Sequence, residues 1–168
     1  MTSADLTKTD QEFLQHAIDL SRHSLECGGT PFGAVVVIGG EIVSEGTSSV
    51  VELRDPTAHA EVMALRNAGA KLERHLFEDG VMYASSEPCP MCLVACYWAR
   101  LPRLVFGATS TDVAVNGFED LQLYRELTYS AERRFLREDA AEGPLRERAT
   151  DVLRSWTDRL PKPVEPKL

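Results

Sequence analysis

The sequence predicts an α/β layered fold whose later strands pair in parallel. Short β-branched segments alternate with segments of helical periodicity, and a helix separates the later strands from one another, which is typical of parallel pairing. The chain has 168 residues, of which 43% are hydrophobic and 26% are charged. This length and composition predict a single domain over residues 1–160, followed by a proline-containing tail over 161–168.

The first predicted elements are a helix and a β-hairpin. Thr9 and Glu12 have the spacing of a capping box, and the amphipathic pattern that follows them ends at Gly28. Two strand-like runs, 33–38 and 41–46, flank a Gly-Gly dipeptide. Because Gly-Gly favours a tight turn, these runs are predicted to pair as a hairpin.

The remaining elements alternate between helix and strand. Asp55 and Pro56 resemble a helix cap and a first helical residue, and Gly69 is expected near the end of that helix. The pattern then predicts a strand over 81–85, a helix over 88–100, a strand over 104–107 and a terminal helix over 144–160.

The charge balance restricts the classes of partner. Acidic residues number 26 against 18 for Lys plus Arg, which gives a formal net charge of -8 at pH 7. Such a chain repels phosphate polymers, so nucleic acid is disfavoured as a partner. There is no apolar run of about 18 residues and no secretory pattern at the start. We therefore expect a cytoplasmic protein that makes no contact with membranes.

Three of the cysteines lie close together, which indicates metal chemistry rather than a disulfide framework. Cys89 and Cys92 form a Cys-x-x-Cys pair at a predicted helix start, and His59 at another helix start supplies a third donor. Zinc held by three protein ligands keeps a position open for water, which is typical of catalytic sites. Cys96 and Cys27 are expected to be buried filler and not a fourth ligand.

Glu61 is the candidate for proton transfer. It follows His59 by two residues, and at the first turn of a helix the two side chains can converge beyond its end. A carboxylate there can accept a proton from water and pass it to a leaving group, which is hydrolytic chemistry. His-x-Glu together with Pro-Cys-x-x-Cys matches the signature of zinc deaminases.

Longer stretches resemble the cytidine-deaminase-like superfamily, and within it the bacterial guanine deaminase branch. These stretches are Pro31–Val37, Asp55–Glu61, Ser86–Leu93, Tyr97–Arg100 and Gly117–Asp120. The resemblance extends over residues 13–156. It implies a three-layer α/β/α fold with a five-stranded mixed sheet, a bound Zn²⁺, and hydrolytic removal of an exocyclic amino group from a free base. It also implies a homodimer in which the C-terminal segment is exchanged between subunits.

The same resemblance implies roles for four further residues. Phe32 and Trp98 would line the pocket and stack on a small heterocyclic substrate. The backbone N–H of Ala60 would contact a substrate carbonyl. Asp120 aligns with a carboxylate that lies near the substrate's N–H groups.

Three positions depart from the pattern of the branch. Ser48 replaces an asparagine that hydrogen-bonds the base, Val94 replaces a glycine, and the tail over 161–168 ends without an aromatic residue. A serine hydroxyl cannot present the donor and acceptor edges of an amide together. Guanine is the default substrate of the branch, but Ser48 predicts a different one: isoguanine, a cytosine-like base, or an s-triazine such as 5-azacytosine or ammeline.

Other functions stay open. A tRNA adenosine deaminase shares the zinc pattern, but the charge of -8 and the stretch 109–120 argue against it. A cytidine or riboflavin-pathway deaminase has a similar first motif. A non-catalytic zinc module for interaction would use the same three ligands, but it would have no role for Glu61.

Overall fold

A computed structural model of the chain describes residues 6–162. The chain divides into two compact units, one reaching Thr128 and the other beginning at Tyr129. The single domain expected over 1–160 stays a prediction. Residues 130–142 contain many charged side chains, no buried residue and only the short 3₁₀ turn Ala131–Arg133.

The first unit contains a sheet and six helices among the described residues. In chain order the elements are α1 (Lys8–Glu26), β1 (Gly33–Ile38), β2 (Glu41–Thr47), α2 (Val50–Leu53), α3 (Ala60–Leu72), β3 (Gly80–Ser86), α4 (Pro90–Trp98), β4 (Arg103–Ala108), α5 (Ser110–Val115) and α6 (Asp120–Glu126). The second unit contains the 3₁₀ turn and the helix α7 (Gly143–Thr157).

The sheet has the strand order β2-β1-β3-β4. The β1–β2 hairpin is antiparallel, β1 and β3 are antiparallel, and β3 and β4 are parallel, which confirms the predicted hairpin and the predicted parallel pairing. The described residues form four strands and not the expected five. After β4, a capping box at Thr109 begins α5 at once, so the chain turns away from the sheet edge.

Helices cover both faces of the sheet and give the expected three layers. Strand side chains alternate between the faces. On one side Val35 and Val37 belong to a core cluster with Ala17 of α1, and on the other side Val36 belongs to a cluster with Ala64 of α3. The α/β/α architecture is therefore confirmed.

Gly46 allows β2 and α3 to approach closely. A Cβ atom at this position would overlap the carbonyl oxygen of Ala60 and would lie 2.5 Å from the amide nitrogen of Ala64. Only glycine fits at this contact. The contact holds the start of α3 beside the end of β2, where Ser48 follows the strand.

The starts of two helices differ from their predicted positions. The capping box of α1 is formed by Thr7 and Asp10 and not by Thr9 and Glu12, because the Asp10 side chain is anchored in a buried polar network. The carboxylate of Asp55 accepts the N–H of Thr57 at 2.8 Å, which closes a local turn. The helix predicted from that turn, α3, therefore begins at Ala60, and it continues beyond Gly69 to Leu72.

The later helices agree in part with the sequence prediction. The terminal helix α7, Gly143–Thr157, lies within one to three residues of the predicted bounds 144–160. The short helices α2, α5 and α6 were not predicted. The tail prediction over 161–168 falls mainly outside the described residues. No helix in residues 6–162 combines the length and apolar character needed to cross a membrane.

Candidate zinc and substrate site

The N-termini of α3 and α4 bring the predicted metal ligands together. His59 is the N-cap of α3 and Cys89 is the N-cap of α4, and both have extended backbone angles. Pro90 is the first residue of α4, where its fixed φ angle suits the helix start, and Cys92 follows within the first turn. Each ligand therefore lies at a helix start and not on a helix flank.

The three donor atoms have the spacing that zinc requires. The ligand atoms of His59, Cys89 and Cys92 all lie within 4.8 Å of one another, and the Sγ of Cys89 is 3.6 Å from the Nδ1 of His59. Zinc bonds of about 2.3 Å to sulfur and about 2.0 Å to nitrogen imply tetrahedral donor separations of about 3.5–3.8 Å. The donor set and its spacing fit Zn²⁺.

The electrostatic environment favours a thiolate at Cys89. Hydrogen bonding with Cys92 and with His59 lowers the pKa of the Cys89 thiol to about 4. The unpaired N–H groups and the dipole at the start of α4 act in the same direction. The hydrogen bond with Cys89, followed by burial, raises the pKa of Cys92. Zinc binding requires thiolates, so it would release the proton of Cys92.

Glu61 lies beside this donor set and is almost completely buried, with 6% of its surface exposed. Burial raises the pKa of its carboxyl group. A buried carboxyl that lines the same cavity as His59 and Cys89 has the position expected of a proton-transfer group. The structure thus brings Glu61 to the predicted ligands, although its role in catalysis stays a prediction.

The other two cysteines have different environments. Cys96 is 5% exposed and belongs to the core cluster that includes Met82 and Ala99, so its prediction as core filler is confirmed. Burial raises the pKa of its thiol to about 12, which keeps it protonated. The same prediction is wrong for Cys27, which is exposed at the C-terminus of α1 because the amphipathic face of that helix has ended.

A cavity of about 170 Å³ lies against the donor set. Its volume is smaller than the ~300–1,000 Å³ typical of pockets for drug-sized ligands and close to the ~150 Å³ of a cavity that holds benzene. It therefore suits a single small ring system. The lining residues are Thr30, Phe32, Ser48, Val50, His59, Glu61, Ser86, Glu87, Cys89, Phe118 and Asp120.

Three predicted substrate residues lie on this lining, namely Phe32, Ser48 and Asp120. Burial raises the pKa of Asp120, with a smaller contribution from the nearby Cys89 sulfur. Ala60 lies between His59 and Glu61 as the first residue of α3, so its N–H has no acceptor within the helix. The structure is compatible with the contacts predicted for these four residues.

Trp98 and Val94 do not line the cavity. Trp98 is the last residue of α4, six residues after Cys92, which places it about 9 Å further along the helix axis. Its side chain is 74% exposed, and Val94 is also exposed. Within this chain, the interpretation that Val94 changes the space around the pocket is therefore wrong. The structure also does not bring Trp98 to the cavity of the same chain.

Sequence reasoning missed Phe118 and Thr30. Phe118 packs edge-to-face against Phe32, with ring centroids 4.9 Å apart, so the aromatic wall of the cavity is a pair. Thr30 precedes β1 and Ser48 follows β2. The hairpin pairs Gly33 with Thr47, so extending that register beyond the strand ends would have indicated that the flanking residues are neighbours.

Two further contacts hold the loop that carries the cysteines. The hydroxyl of Tyr124 in α6 donates to the carbonyl oxygen of Pro88 at 2.8 Å. Glu87 accepts the backbone N–H of Ser110, the first residue of α5, at 2.7 Å. The helices α5 and α6, which were not predicted, therefore anchor both residues that precede Cys89.

Known proteins share this arrangement. Residues 7–108 match the family described as the cytidine and deoxycytidylate deaminase zinc-binding region. The chain is 45% identical over 125 residues to the guanine deaminase of Bacillus subtilis, covering 74% of this chain and 80% of that protein. It is 36% identical over 109 residues to a tRNA-specific adenosine deaminase of Buchnera aphidicola, covering 65% of this chain and 72% of that protein.

The solved structure of the Bacillus subtilis guanine deaminase aligns with a TM-score of 0.85 at 36% identity, covering 97% of this chain and 100% of that chain. The family match includes His59, Cys89 and Cys92, the three residues whose donor atoms converge. Sequence, fold and metal site therefore agree that the chain belongs to the cytidine and deoxycytidylate deaminase family of zinc-dependent enzymes.

Proposed function

We propose that the protein catalyses the hydrolytic removal of an exocyclic amino group from a free nucleobase or a related amino-heterocycle. The observation that carries this proposal is the juxtaposition in one small cavity of a zinc-type donor set, the buried carboxyl of Glu61 and the aromatic pair Phe32–Phe118. A structural zinc site would need neither the carboxyl group nor the cavity.

The proposed reaction replaces a C–N bond with a C–O bond. The oxygen of water adds to the carbon that bears the amino group, and ammonia leaves. When bound, zinc supplies Lewis-acid activation of water at neutral pH. Glu61 accepts one proton from the attacking water and delivers it to the ring nitrogen, and it then accepts the second proton from the added hydroxyl group and delivers it to the amino group, which leaves as ammonia. The burial of Glu61 supports this role, because a raised pKa makes its carboxyl group able to hold the transferred proton.

The cavity lining supports a base as the substrate and not a nucleotide. Among its lining residues there is no Lys or Arg that could bind a phosphate, whereas Glu87 and Asp120 are acidic. The half-buried Asp120 carboxyl would accept hydrogen bonds from N–H groups of the base. Phe32 and Phe118 would contact the flat ring.

The identity of the base is part of the proposal. The similarity to the Bacillus subtilis guanine deaminase supports guanine. Ser48, which lines the cavity where the related enzymes would have an asparagine amide, supports isoguanine, a cytosine-like base, or an s-triazine such as 5-azacytosine or ammeline.

A tRNA adenosine deaminase is the second candidate, because tRNA-specific relatives are also similar to this chain. The net charge of -8 opposes binding to a phosphate backbone. A cytidine or riboflavin-pathway deaminase would need space for a ribose or ribityl group, which a cavity of about 170 Å³ does not favour.

We also propose that the protein is a cytoplasmic homodimer, with exchange of the C-terminal segment between subunits. Two exposed apolar faces support the dimer. The first lies on α4 and consists of Met91, Val94, Tyr97 and Trp98, and the second lies on α7 and consists of Leu145, Val152, Leu153 and Trp156. Contiguous apolar faces of this kind are typical of protein interfaces.

Ammonia release by the zinc-loaded protein tests the proposed activity. The panel contains guanine, isoguanine, adenine, cytosine, 5-azacytosine, ammeline, cytidine, adenosine and guanosine. We expect turnover of at least one free base and a loss of at least about 1,000-fold in kcat for Glu61→Gln, with zinc content unchanged. Turnover of tRNA alone, or full activity of Glu61→Gln, would contradict the proposal.

A further inference from the structure

We infer that Thr30, acting through Ser48, determines which hydrogen bond the cavity offers to the substrate, and that the paired hydroxyls select a substrate with a lone acceptor atom at this wall. This inference rests on the proposed function, because it specifies the class of amino-heterocycle that the same site accepts. It adds Thr30, which no sequence motif identified, to the residues that set specificity.

The two hydroxyl groups are in direct contact. The Oγ1 of Thr30 donates to the Oγ of Ser48 at 2.5 Å, which is at the short end of the range for O–H···O hydrogen bonds. Both side chains line the cavity. The hydroxyl group of Ser48 is therefore already hydrogen-bonded to a neighbouring side chain before any substrate binds.

The backbone around the pair is occupied by other hydrogen bonds. The N–H of Ser48 donates to the carbonyl oxygen of Phe32 at 3.2 Å. The carbonyl oxygen of Thr30 accepts the hydroxyl of Ser24 at 2.8 Å and the N–H of Phe32 at 2.8 Å. The N–H of Ser48 and the carbonyl oxygen of Thr30 are therefore already paired, and the two hydroxyls are the side-chain polar groups of this pair.

The number of hydroxyl hydrogens determines how many hydrogen bonds the pair can donate to a substrate. Two hydroxyl groups carry two hydrogens, and the Thr30–Ser48 bond uses one of them. One hydrogen is left to donate to the substrate. An asparagine amide would present an NH₂ donor and a carbonyl acceptor side by side. It would therefore match a substrate base that has an acceptor next to a donor along one edge. The hydroxyl pair has one hydrogen for a substrate acceptor, such as a carbonyl oxygen or an unprotonated ring nitrogen, and because Thr30 occupies one lone pair of Ser48, the pair is a poorer acceptor than a free serine.

The pair is also held rigidly. Thr30 is β-branched, which restricts its χ1 angle, and the bond from Ser24 fixes its backbone. Ser48 follows the end of the paired strand β2. A donor whose position is fixed before binding discriminates more strongly between substrates than a mobile one, because a mismatched group leaves a buried polar atom unpaired.

The test uses two purines that both carry a 6-amino group and differ at C2, namely isoguanine with an oxo group and 2,6-diaminopurine with an amino group, and it counts only loss of the 6-amino group, which gives xanthine from the first and guanine from the second. We expect wild-type kcat/KM to favour the oxo compound. Thr30→Val removes the bound hydroxyl at nearly constant shape and leaves the Ser48 lone pair that Thr30 occupied free to accept from a substrate N–H. We expect the preference for the oxo compound to fall about 10-fold in Thr30→Val, mainly through KM, and to be retained in Thr30→Ser.

A binding experiment separates failure of this inference from failure of the proposed function. Isothermal calorimetry of the two purines with zinc-loaded Glu61→Gln, alone and combined with Thr30→Val, Thr30→Ser or Ser48→Ala, measures recognition without turnover. We expect Thr30→Val and Ser48→Ala to have non-additive effects on the affinity ratio, because both remove the same pair. Zinc content and thermal midpoint, measured for each variant, show whether the site is intact.

Three outcomes are decisive. A changed ratio in Thr30→Val with the wild-type ratio in Thr30→Ser supports the inference. An unchanged ratio in Thr30→Val, in a protein that turns over or binds free bases, overturns the inference and leaves the proposed function standing. Absence of both turnover and binding for every free base in the wild-type panel overturns the proposed function and the inference together.

Discussion

The hydroxyl of Tyr124 donates a hydrogen bond to the carbonyl oxygen of Pro88 at 2.8 Å, one residue before the predicted zinc ligand Cys89. This bond connects α6, which also carries Asp120, to the loop that presents the cysteines. The cavity wall at Asp120 and the predicted metal site are therefore connected by a hydrogen bond. A change in Tyr124 should affect both, although this side chain is not itself a ligand.

Tyr124→Phe tests this connection by removing one hydroxyl. We expect a loss of about 1 kcal/mol in the free energy of unfolding and a zinc affinity that is weaker by about 10-fold. Chemical denaturation and competition with a chelator measure the two effects. Tyr129→Phe, at an exposed tyrosine, is the matched control. Zinc affinity equal to that of the wild type in Tyr124→Phe would show that the loop is held without this bond.

The convergence of the three predicted metal ligands could be inferred from the sequence because their positions follow local rules. Cys89 and Cys92 lie in one helical turn, and His59 and Cys89 each occupy an N-cap position that follows a loop. Such positions depend on short-range rules for helix starts. The sheet order could be inferred in part for the same reason, since the hairpin and the parallel β3–β4 pair follow from connection length.

The rest of the site depends on contacts that are distant in sequence. Thr30 and Ser48 meet only because the hairpin pairs in one register. Phe118 reaches Phe32 through α5, a helix too short to show a periodic pattern. The resemblance predicts Trp98 in the pocket, whereas in the structure Trp98 is exposed and is not among the lining residues of the cavity.

The two buried cysteines of α4 provide a second test. Cys92→Ala removes a predicted zinc donor, whereas Cys96→Ala removes a sulfur of similar burial from the hydrophobic core. We expect Cys92→Ala to lose bound zinc and activity. Cys96→Ala should keep one zinc per chain and lose about 1 kcal/mol of stability. Elemental analysis together with thermal unfolding measures both. Loss of zinc from Cys96→Ala in a folded protein would contradict the assigned ligand set.

Asp10 predicts a dependence of stability on pH. Its carboxylate accepts hydrogen bonds from Arg103 at 2.6 and 3.0 Å and from Tyr83 at 2.6 Å. The Arg103 bond, followed by the Tyr83 bond, holds the pKa of Asp10 well below its usual range. Because the folded-state pKa lies below the unfolded value of about 3.9, this network stabilises the fold above pH ~4, and that contribution is lost as the pH falls below it.

Asp10→Asn should therefore destabilise the protein by about 2–3 kcal/mol at pH 7, and the difference from wild type should shrink progressively below pH ~4. Denaturant unfolding at several pH values measures this difference. Asp19→Asn, at an exposed carboxylate of the same helix, is the control and should change stability by less than about 0.5 kcal/mol. A difference that does not change with pH would show that packing, and not charge, explains the effect of Asp10.

The exposed faces of α4 and α7 predict a dimer that a single charge can disrupt. Val94 and Trp156 lie on these two faces, and an arginine at either position would place an unpaired charge in the proposed interface. We expect the wild-type protein to be a dimer and Val94→Arg and Trp156→Arg to weaken association by at least about 10-fold. Light scattering coupled to size-exclusion chromatography measures the mass over a range of concentrations. Val51→Arg, at an exposed valine of α2, is the control and should remain dimeric. If both interface variants keep the wild-type mass, these faces do not form the interface, and a monomeric wild-type protein would exclude exchange of the C-terminal segment.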